Sequence, residues 1–171
     1  MDEDFLLVQR MRLGDERALG IFVEKYYSLI LNYCHAHVAD YGYAEDMAQE
    51  TFARFFQTLP DYHHYGRAAN YLYVIAANAC RDFRRKNREI PVEELPEAAD
   101  TDGDGLTMRL DIQMALRSLS EEIREVAVLY FMQELKQKDI ARILNIGLPL
   151  VKYRVARARR ELSVYLGKER V

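Results

Sequence analysis

The chain has 171 residues, half of them hydrophobic, and a formal net charge of −3. This composition is too apolar for a generally disordered chain. Two cysteines, Cys34 and Cys80, are too few for a disulfide framework, so we expect reduced thiols in a core. No apolar run is long enough to span a membrane and no signal peptide opens the sequence, so we expect a cytoplasmic protein.

The small net charge conceals two basic blocks. Residues 67–88 hold six Lys and Arg against one acid, and residues 136–171 hold ten against three. Between them, residues 89–104 hold seven acids and no base. Because affinity for nucleic acid follows the local basic patch and not the total charge, this pattern suits a protein that touches nucleic acid at two places.

Helical periodicity dominates, and no run of alternating β-branched residues predicts a strand. Asp15 is the expected cap of a first long helix, and a second is expected from about Tyr43 until Pro60 stops it. A third follows the loop 61–66. The periodicity fails between residues 90 and 105, where prolines, glycines and acids predict a mobile linker.

The sequence therefore predicts an all-α protein made of two small helical domains, 1–88 and 106–171, joined by a flexible acidic linker at 89–105. In the second domain, a helix is expected to continue to about Met132. Ser118 or Ser120 can cap that helix, and Ser118 with Glu121 fits a capping box.

Residues 138–162 have the layout of a helix-turn-helix, whose second helix enters the DNA major groove. A short amphipathic pattern at 138–144 is followed by a break at 145–147 and by a basic helix on which Val151 and Val155 recur at the spacing of a buried face. The alternative, a helical corner with a solvated basic face, is disfavoured by the short helix and turn that come first. The side chains left to meet DNA are Lys152, Tyr153, Arg154, Ala156, Arg157, Arg159 and Arg160.

A second constellation lies on the second helix. Asp46, Gln49 and Glu50 fall at spacings of three and four and so share one polar face. Met47 and Phe52 occupy the opposite side. The simplest interpretation is an ordinary amphipathic surface helix, although such an acidic strip also suits docking onto a basic partner.

The third constellation combines aromatic residues with cations. The loop before the third helix contains Tyr62, two histidines and Tyr65, and the helix itself ends in a basic tail. Single-stranded DNA needs such a surface, because bases stack on rings while cations neutralise phosphates. Several of these aromatics can instead belong to a core, and the loop tyrosines are the ones expected to be exposed.

Metal and catalytic sites find little support in the sequence. Cys34 and His37 lie three residues apart on a helix, but a zinc site needs more ligands at defined spacing. No phosphate-binding loop, nucleophile elbow or paired-carboxylate site stands out. We therefore expect a protein that is not an enzyme and has no metal or cofactor.

Three segments together resemble the extracytoplasmic-function (ECF) sigma factors of bacteria. They are residues 44–52, residues 71–78 followed by Asp82 and Arg85, and a stretch from Glu125 through 139–141 to 151–159. Their order along the chain and the acidic linker between the second and third make the resemblance specific.

The resemblance implies a role for each constellation. The face formed by Asp46, Gln49 and Glu50 would dock on the β′ clamp of core RNA polymerase, and the second domain would meet the β flap. The helix-turn-helix would read the promoter −35 element. The −10 element would be read and melted by seven residues: Tyr62, Tyr65, Tyr71, Asn78, Arg81, Arg84 and Arg85.

The resemblance also implies regulation by an anti-sigma factor, which, if membrane-bound, could hold the protein at the membrane. The acidic linker can fold back on the basic blocks at low salt, so we expect the free protein to bind promoter DNA poorly. The family usually has Trp where Tyr71 stands, so stacking or packing there can differ.

Two other classes of protein remain open at the level of sequence. One is a helix-turn-helix regulator with a helical sensing domain, which would bind duplex DNA without polymerase. The other is a helical enzyme or metal protein. Dependence of promoter binding on core polymerase separates the first of these from a sigma factor.

Overall fold

The structure is a computed structural model that describes residues 2–64, 67–87 and 111–169. Within these ranges all regular structure is helical, as predicted. The predicted linker lies outside the described residues. The helices are α1 (Glu3–Arg12), α2 (Glu16–His37), α3 (Tyr41–Thr58), α4 (Ala68–Lys86), α5 (111–117), α6 (Glu121–Ala127), α7 (Gln137–Leu144) and α8 (Leu148–Glu169).

Local chemistry sets the ends of the first helices. Asp15 caps α2 as predicted, since its carboxylate accepts from the amides of Arg17 and Ala18 at 3.0 and 3.4 Å. Asp40 caps α3 in the same way, so this helix begins two residues before the expected start. A short 3₁₀ turn, Leu59–Asp61, with Pro60 inside it, ends α3.

The start of α6 differs from the prediction. Ser120 occupies the N-cap position, but its side chain makes no capping hydrogen bond. Ser118 lies at the end of α5, where its hydroxyl donates to the Ala115 carbonyl at 2.5 Å. The expected capping box is therefore wrong, because Ser118 serves the helix before it. A π-helical turn, Val128–Met132, extends α6 to the expected end.

Helices α1 to α4 enclose an aromatic core. The rings of Phe22 and Phe55 stack with centroids 4.8 Å apart, and Phe52 and Tyr26 meet Phe22 edge-on. All four rings are almost fully buried. Rings held in such offset and edge-on contacts add about 0.5–1.5 kcal/mol each beyond their buried area. This packing fixes α3, which carries one of the predicted functional faces, against α2.

Helices α7 and α8 form the predicted helix-turn-helix. Asn145 ends α7 in the left-handed region with φ 54°, and the amide of Ile146 returns to the Ala141 carbonyl at 3.0 Å. This closure satisfies carbonyls at the end of α7 and turns the chain sharply. Ile140 and Val151 are fully buried beneath the turn, so hydrophobic packing holds α8 at a fixed angle to α7.

The two groups of helices pack against each other. Helix α4 contacts α7, and α2 contacts α6 and its π-helical extension. The Tyr73 hydroxyl donates to Gln133 Oε1 at 2.8 Å, and Gln113 Nε2 lies 2.7 Å from His35 Nδ1. The two halves of the protein therefore form a closed arrangement.

A buried histidine at this contact makes the stability of the protein depend on pH. Burial, and then the charges of Arg84, Arg124 and Arg81, hold the pKa of His37 well below 6.5. Neither ring nitrogen has a hydrogen-bond partner among the described residues, and the Tyr33 ring lies 4.6 Å away between centroids. The folded protein therefore keeps His37 neutral, whereas an unfolded chain protonates it below pH 6.5.

We expect this difference to lower the free energy of unfolding as the pH falls below about 6.5, the ordinary histidine value. Above that pH His37 is neutral in both the folded and the unfolded protein, so its titration no longer lowers the free energy of unfolding. His37→Phe should lose less stability than the wild type between pH 7.5 and pH 5.5 in chemical denaturation. Equal losses in the two proteins would show that His37 does not titrate on unfolding.

Candidate nucleic-acid interface

The outward side of α8 carries the predicted duplex-reading residues. Val151, Val155 and Ala158 are buried, whereas Lys152, Tyr153, Ala156, Arg157, Arg159 and Arg160 are exposed. Tyr153, Ala156 and Arg160 recur at spacings of three and four and so lie together, opposite the buried side. The helix therefore presents a single outward face of cations, one tyrosine and one small residue.

Arg154 departs from the expected outward position. Its side chain is only 15% exposed, and its Nη2 lies 3.5 Å from Glu122 Oε2 on α6. This ion pair holds Arg154 against its own half of the protein, three residues along from buried Val151. The prediction that it faces DNA is not supported, because α6 supplies a partner that the local sequence of α8 could not show.

Two other arginines of α8 have partners on the protein surface. Arg157 Nη1 donates to the Tyr153 hydroxyl at 3.0 Å, and its Nε lies 3.4 Å from Glu161. These contacts orient Arg157 alongside Tyr153 and raise its pKa. The Arg159 guanidinium lies 5.7 Å from the centre of the Phe131 ring, so it sits beside α6 and its extension.

The polar strip on α3 is exposed as predicted. Asp46, Gln49 and Glu50 all face outward, while Ala48 and Phe52 are buried. Glu50 forms an ion pair with Arg54 one turn later, at 2.9 Å, and Arg54 Nη1 reaches Asp82 of α4 at 3.9 Å. The strip therefore presents an acidic surface that continues to α4.

Helix α4 carries five of the seven predicted −10 residues, on two different sides. Asn78 and Arg85 are exposed and lie seven residues apart on one face of the helix. Tyr71, seven residues before Asn78, is half-buried on the same face. The Tyr71 hydroxyl is 3.3 Å from Thr58 Oγ1. Asn78 offers a donor and an acceptor from a surface that also bears a cation.

Tyr62 is not the exposed stacking residue that was predicted. It is only 7% exposed, and its ring lies 5.3 Å from Phe55 and 5.0 Å from Tyr71 between centroids. Burial raises the pKa of its hydroxyl to about 12. The chain after the 3₁₀ turn folds back onto the aromatic core, so Tyr62 supports Tyr71 from beneath. Tyr65, its predicted companion, lies outside the described residues.

Arg81 and Arg84 are bound by an acid that was not predicted as a partner. Both oxygens of Glu125 on α6 accept from Arg81 at 2.7 Å, and Arg84 Nη2 lies 3.2 Å from the same carboxylate. Glu125 is 5% exposed, and Glu121 adds a contact to Arg84 at 3.5 Å. One sequence signal existed: Glu125 is a charged residue on the apolar side of its helix.

The closed arrangement also covers part of the α4 face. A groove of about 320 Å³ lies between Tyr71, Asn70 and Val74 of α4 and Asp139, Arg142 and Ile143 of α7. A nucleic-acid strand that followed α4 would enter this space. The geometry therefore presents the α8 face openly and holds much of the α4 basic surface against the other half of the protein.

The described residues contain no candidate metal site and no candidate membrane span. Within them, no three His, Cys, Asp or Glu side chains gather to hold a metal ion, and Cys34 and Cys80 are buried free thiols. None of the helices described is both long enough and apolar enough to cross a membrane.

A helix-turn-helix with an open basic face, joined to a second basic helix, is typical of a DNA-binding protein. Comparison with known proteins makes this specific. The family model Sigma-70 region 2 matches residues 22–90, and Sigma-70, region 4 matches residues 109–162. The chain belongs to the sigma-70 family, in its class of ECF sigma factors.

Individual relatives agree with this assignment. The chain is 33% identical over 135 residues to the ECF RNA polymerase sigma factor SigE of Mycolicibacterium smegmatis, covering 73% of this chain and 52% of that protein. It therefore aligns with about half the length of SigE. It is 29% identical over 178 residues to SigW of Bacillus subtilis, covering 93% and 94%.

A solved structure has the same fold. It is the sigma factor RpoE in complex with the anti-sigma factor NepR from Bartonella quintana, with a TM-score of 0.75 and 22% identity. The match covers 86% of this chain and 96% of RpoE.

Proposed function

We propose that this protein binds core RNA polymerase and directs promoter-specific initiation, using α8 on the −35 element and α4 on the −10 element. Membership in the ECF sigma factors supports the function as a whole. The observation that supports separate reading of the two promoter elements is the presence of two basic helix faces, one on each side of the acidic segment. In this scheme residues 1–88 and 106–171 are the two promoter-reading units, and the protein acts as a non-enzymatic subunit.

In this proposal the residues of α8 have different roles, according to their positions on the helix. Tyr153, Ala156 and Arg160 lie opposite the buried side and so would face the floor of the major groove. Lys152 and Arg157 flank them, within reach of guanine edges, to which Arg and Lys bind most often. Arg159, beside Phe131, is placed to hold a phosphate. Arg154, tied to Glu122, is placed to support the helix.

We expect Lys152→Ala and Arg157→Ala to alter which −35 sequences are preferred, with a loss of about 1–3 kcal/mol at the base each one contacts. Arg159→Ala should instead weaken all sequences alike and reduce the salt dependence of binding, because a phosphate contact carries no sequence information. Holoenzyme binding to −35 point variants at two salt concentrations separates the two outcomes. If Lys152→Ala, Arg157→Ala and Arg159→Ala all bind promoter DNA like the wild type, α8 does not read DNA.

The exposed face of α4 suits an unpaired strand. Asn78 can donate to and accept from a base edge, Arg85 can hold a phosphate, and half-buried Tyr71 can offer a ring edge or face. Tyr62 then serves as the support beneath Tyr71. Arg81 and Arg84 can join this surface once Glu125 has moved away.

Docking on polymerase is assigned to α3. Asp46, Gln49 and Glu50 are exposed side chains on a rigid, well-packed helix, which is how an acidic patch is presented to a basic partner. In the scheme they meet the β′ clamp, and the helix-turn-helix half meets the β flap.

An anti-sigma factor is the expected regulator. RpoE is matched in a complex with one, NepR, and its fold is shared by nearly the whole of this chain. A partner that stabilises the closed arrangement would keep Arg81 and Arg84 away from DNA. We propose the cytoplasm as the site of action, with retention at the membrane where the anti-sigma factor is itself membrane-bound.

A further inference from the structure

Helix α1 holds the chain that leads from α3 into the loop. Arg12 Nε donates to the Leu59 carbonyl at 3.1 Å, and Arg12 Nη2 donates to the Tyr62 carbonyl. A single guanidinium thus binds the first residue of the 3₁₀ turn and the residue that follows the turn. The other side of α1 is buried in the core through Leu7, Val8 and Met11. The core therefore fixes the position of the helix that carries Arg12.

The N-cap residue of α1, Asp2, holds the next part of the loop. Both oxygens of Asp2 lie 3.1 Å from His64 Nε2, and the Tyr62 hydroxyl lies 3.0 Å from His64 Nδ1. The amide of Phe5 first, and His64 second, hold the pKa of Asp2 below its ordinary value. The His64 side chain is only 8% exposed, so it is held between a carboxylate and a phenol.

Asp4, in the first turn of α1, holds the beginning of α4. Asp4 is buried and accepts from Lys25 Nζ at 2.9 Å, from the Tyr26 hydroxyl and from the amide of Ala68 at 3.4 Å. The first turn of α4 lacks a side-chain cap of its own, since Arg67 at the N-cap position makes no such bond. Asp4 therefore supplies from α1 the acceptor that a capping residue would otherwise provide.

We propose that α1 is a positioning element for −10 recognition: Asp2, Asp4 and Arg12 fix the conformation of residues 59–64 and the start of α4, and through them the surface that captures an unpaired base. Helix α1 lies outside residues 22–90, the part matched as Sigma-70 region 2. The inference rests on the proposed role of α4 and its loop at the −10 element. It adds that discrimination at this element depends on a helix with no DNA contact assigned to it.

The test compares two arginines on the same helix. Arg12→Ala removes the ties to the loop, whereas Arg10→Ala removes an exposed ion pair with Asp15 and leaves the loop untouched. Both substitutions change the charge equally. Hydrogen exchange of the Tyr62 amide, which donates to the Leu59 carbonyl at 3.2 Å, reports on the loop without any DNA. We expect it to exchange faster in Arg12→Ala only.

The functional arm uses the holoenzyme on promoters with point changes in the −10 or −35 element. Arg12→Ala should lower open-complex formation, read by permanganate reactivity, by roughly tenfold, the equivalent of one lost charged hydrogen bond. Discrimination among −10 variants should shrink, while affinity for core polymerase and discrimination among −35 variants stay unchanged. Arg12→Lys, which keeps one donor, should restore part of the −10 discrimination.

A second variant covers the case in which Arg12→Ala unfolds. Asp2→Asn keeps a good helix cap but removes the negatively charged carboxylate that contacts His64. We expect it to reduce −10 discrimination as well. If Arg12→Ala and Asp2→Asn both behave like Arg10→Ala, α1 does not position the loop. Asn78→Ala tests the underlying assignment: if it also melts promoters normally, the −10 surface itself is misplaced, whereas a defect in Asn78→Ala alone overturns only the positioning role.

Discussion

Asp46→Arg combined with Glu50→Arg is expected to abolish binding to core RNA polymerase while leaving the fold intact. Both side chains are exposed, so neither substitution disturbs the core, to which Phe52 on the opposite side of α3 belongs. The ion pair of Glu50 with Arg54 is a surface pair spaced by four residues, worth only about 0.3–0.5 kcal/mol. Like charges forced together at a complementary interface cost several kcal/mol of binding free energy, so we expect the variant to lose its affinity for core enzyme.

A matched control reverses two charges elsewhere. Glu16 and Glu24 are exposed on a different helix, α2, and replacing both with Arg gives the same change in net charge. A pull-down with core enzyme should lose the α3 variant and retain the α2 variant. Retention of both would remove α3 from the docking surface, and loss of both would indicate a response to total charge.

Glu125→Gln is expected to raise the affinity of the free protein for a single-stranded −10 oligonucleotide. The substitution leaves two guanidiniums, Arg81 and Arg84, side by side without their shared anion. Removing one partner from a fully buried ion pair costs about 3–5 kcal/mol, and the partial exposure of Arg81 reduces this to roughly 1–2 kcal/mol. The closed arrangement should therefore weaken by about tenfold, and more protein should expose its α4 face.

Glu121→Gln is the control, because Glu121 is half-exposed and touches Arg84 only at 3.5 Å. It should change the affinity little. A third variant replaces the acids of residues 89–104 and tests masking by the linker. If that variant gains affinity while Glu125→Gln does not, the linker covers the DNA-binding surface and the Glu125 contact is only structural.

The sequence was most informative where folding is local. The structure has the Asp15 cap of α2, the break after α7 and the buried repeat of Val151 and Val155 as expected, because each depends on residues a few positions apart. The exposure of Asp46, Gln49 and Glu50 follows from the same helical period. Helix α1 went unpredicted because its apolar stripe is short and includes a buried acid, Asp4.

Errors arose where partners come from distant parts of the chain. Tyr62 looks like an exposed loop residue until α3 and α4 bring Phe55 and Tyr71 around it. Arg81 and Arg84 look like free cations until α6 supplies Glu125, which is 44 and 41 residues away. Such contacts depend on tertiary packing, which periodicity and local charge do not encode.

Run-off transcription with purified core RNA polymerase tests the central claim most directly. Core enzyme is mixed with this protein and a library of genomic promoter fragments, with core enzyme alone as the reference. We expect new transcripts only when the protein is present, from promoters that share one −35 and one −10 sequence at fixed spacing. Duplex binding by the protein alone, with no added transcripts from core enzyme, would contradict it.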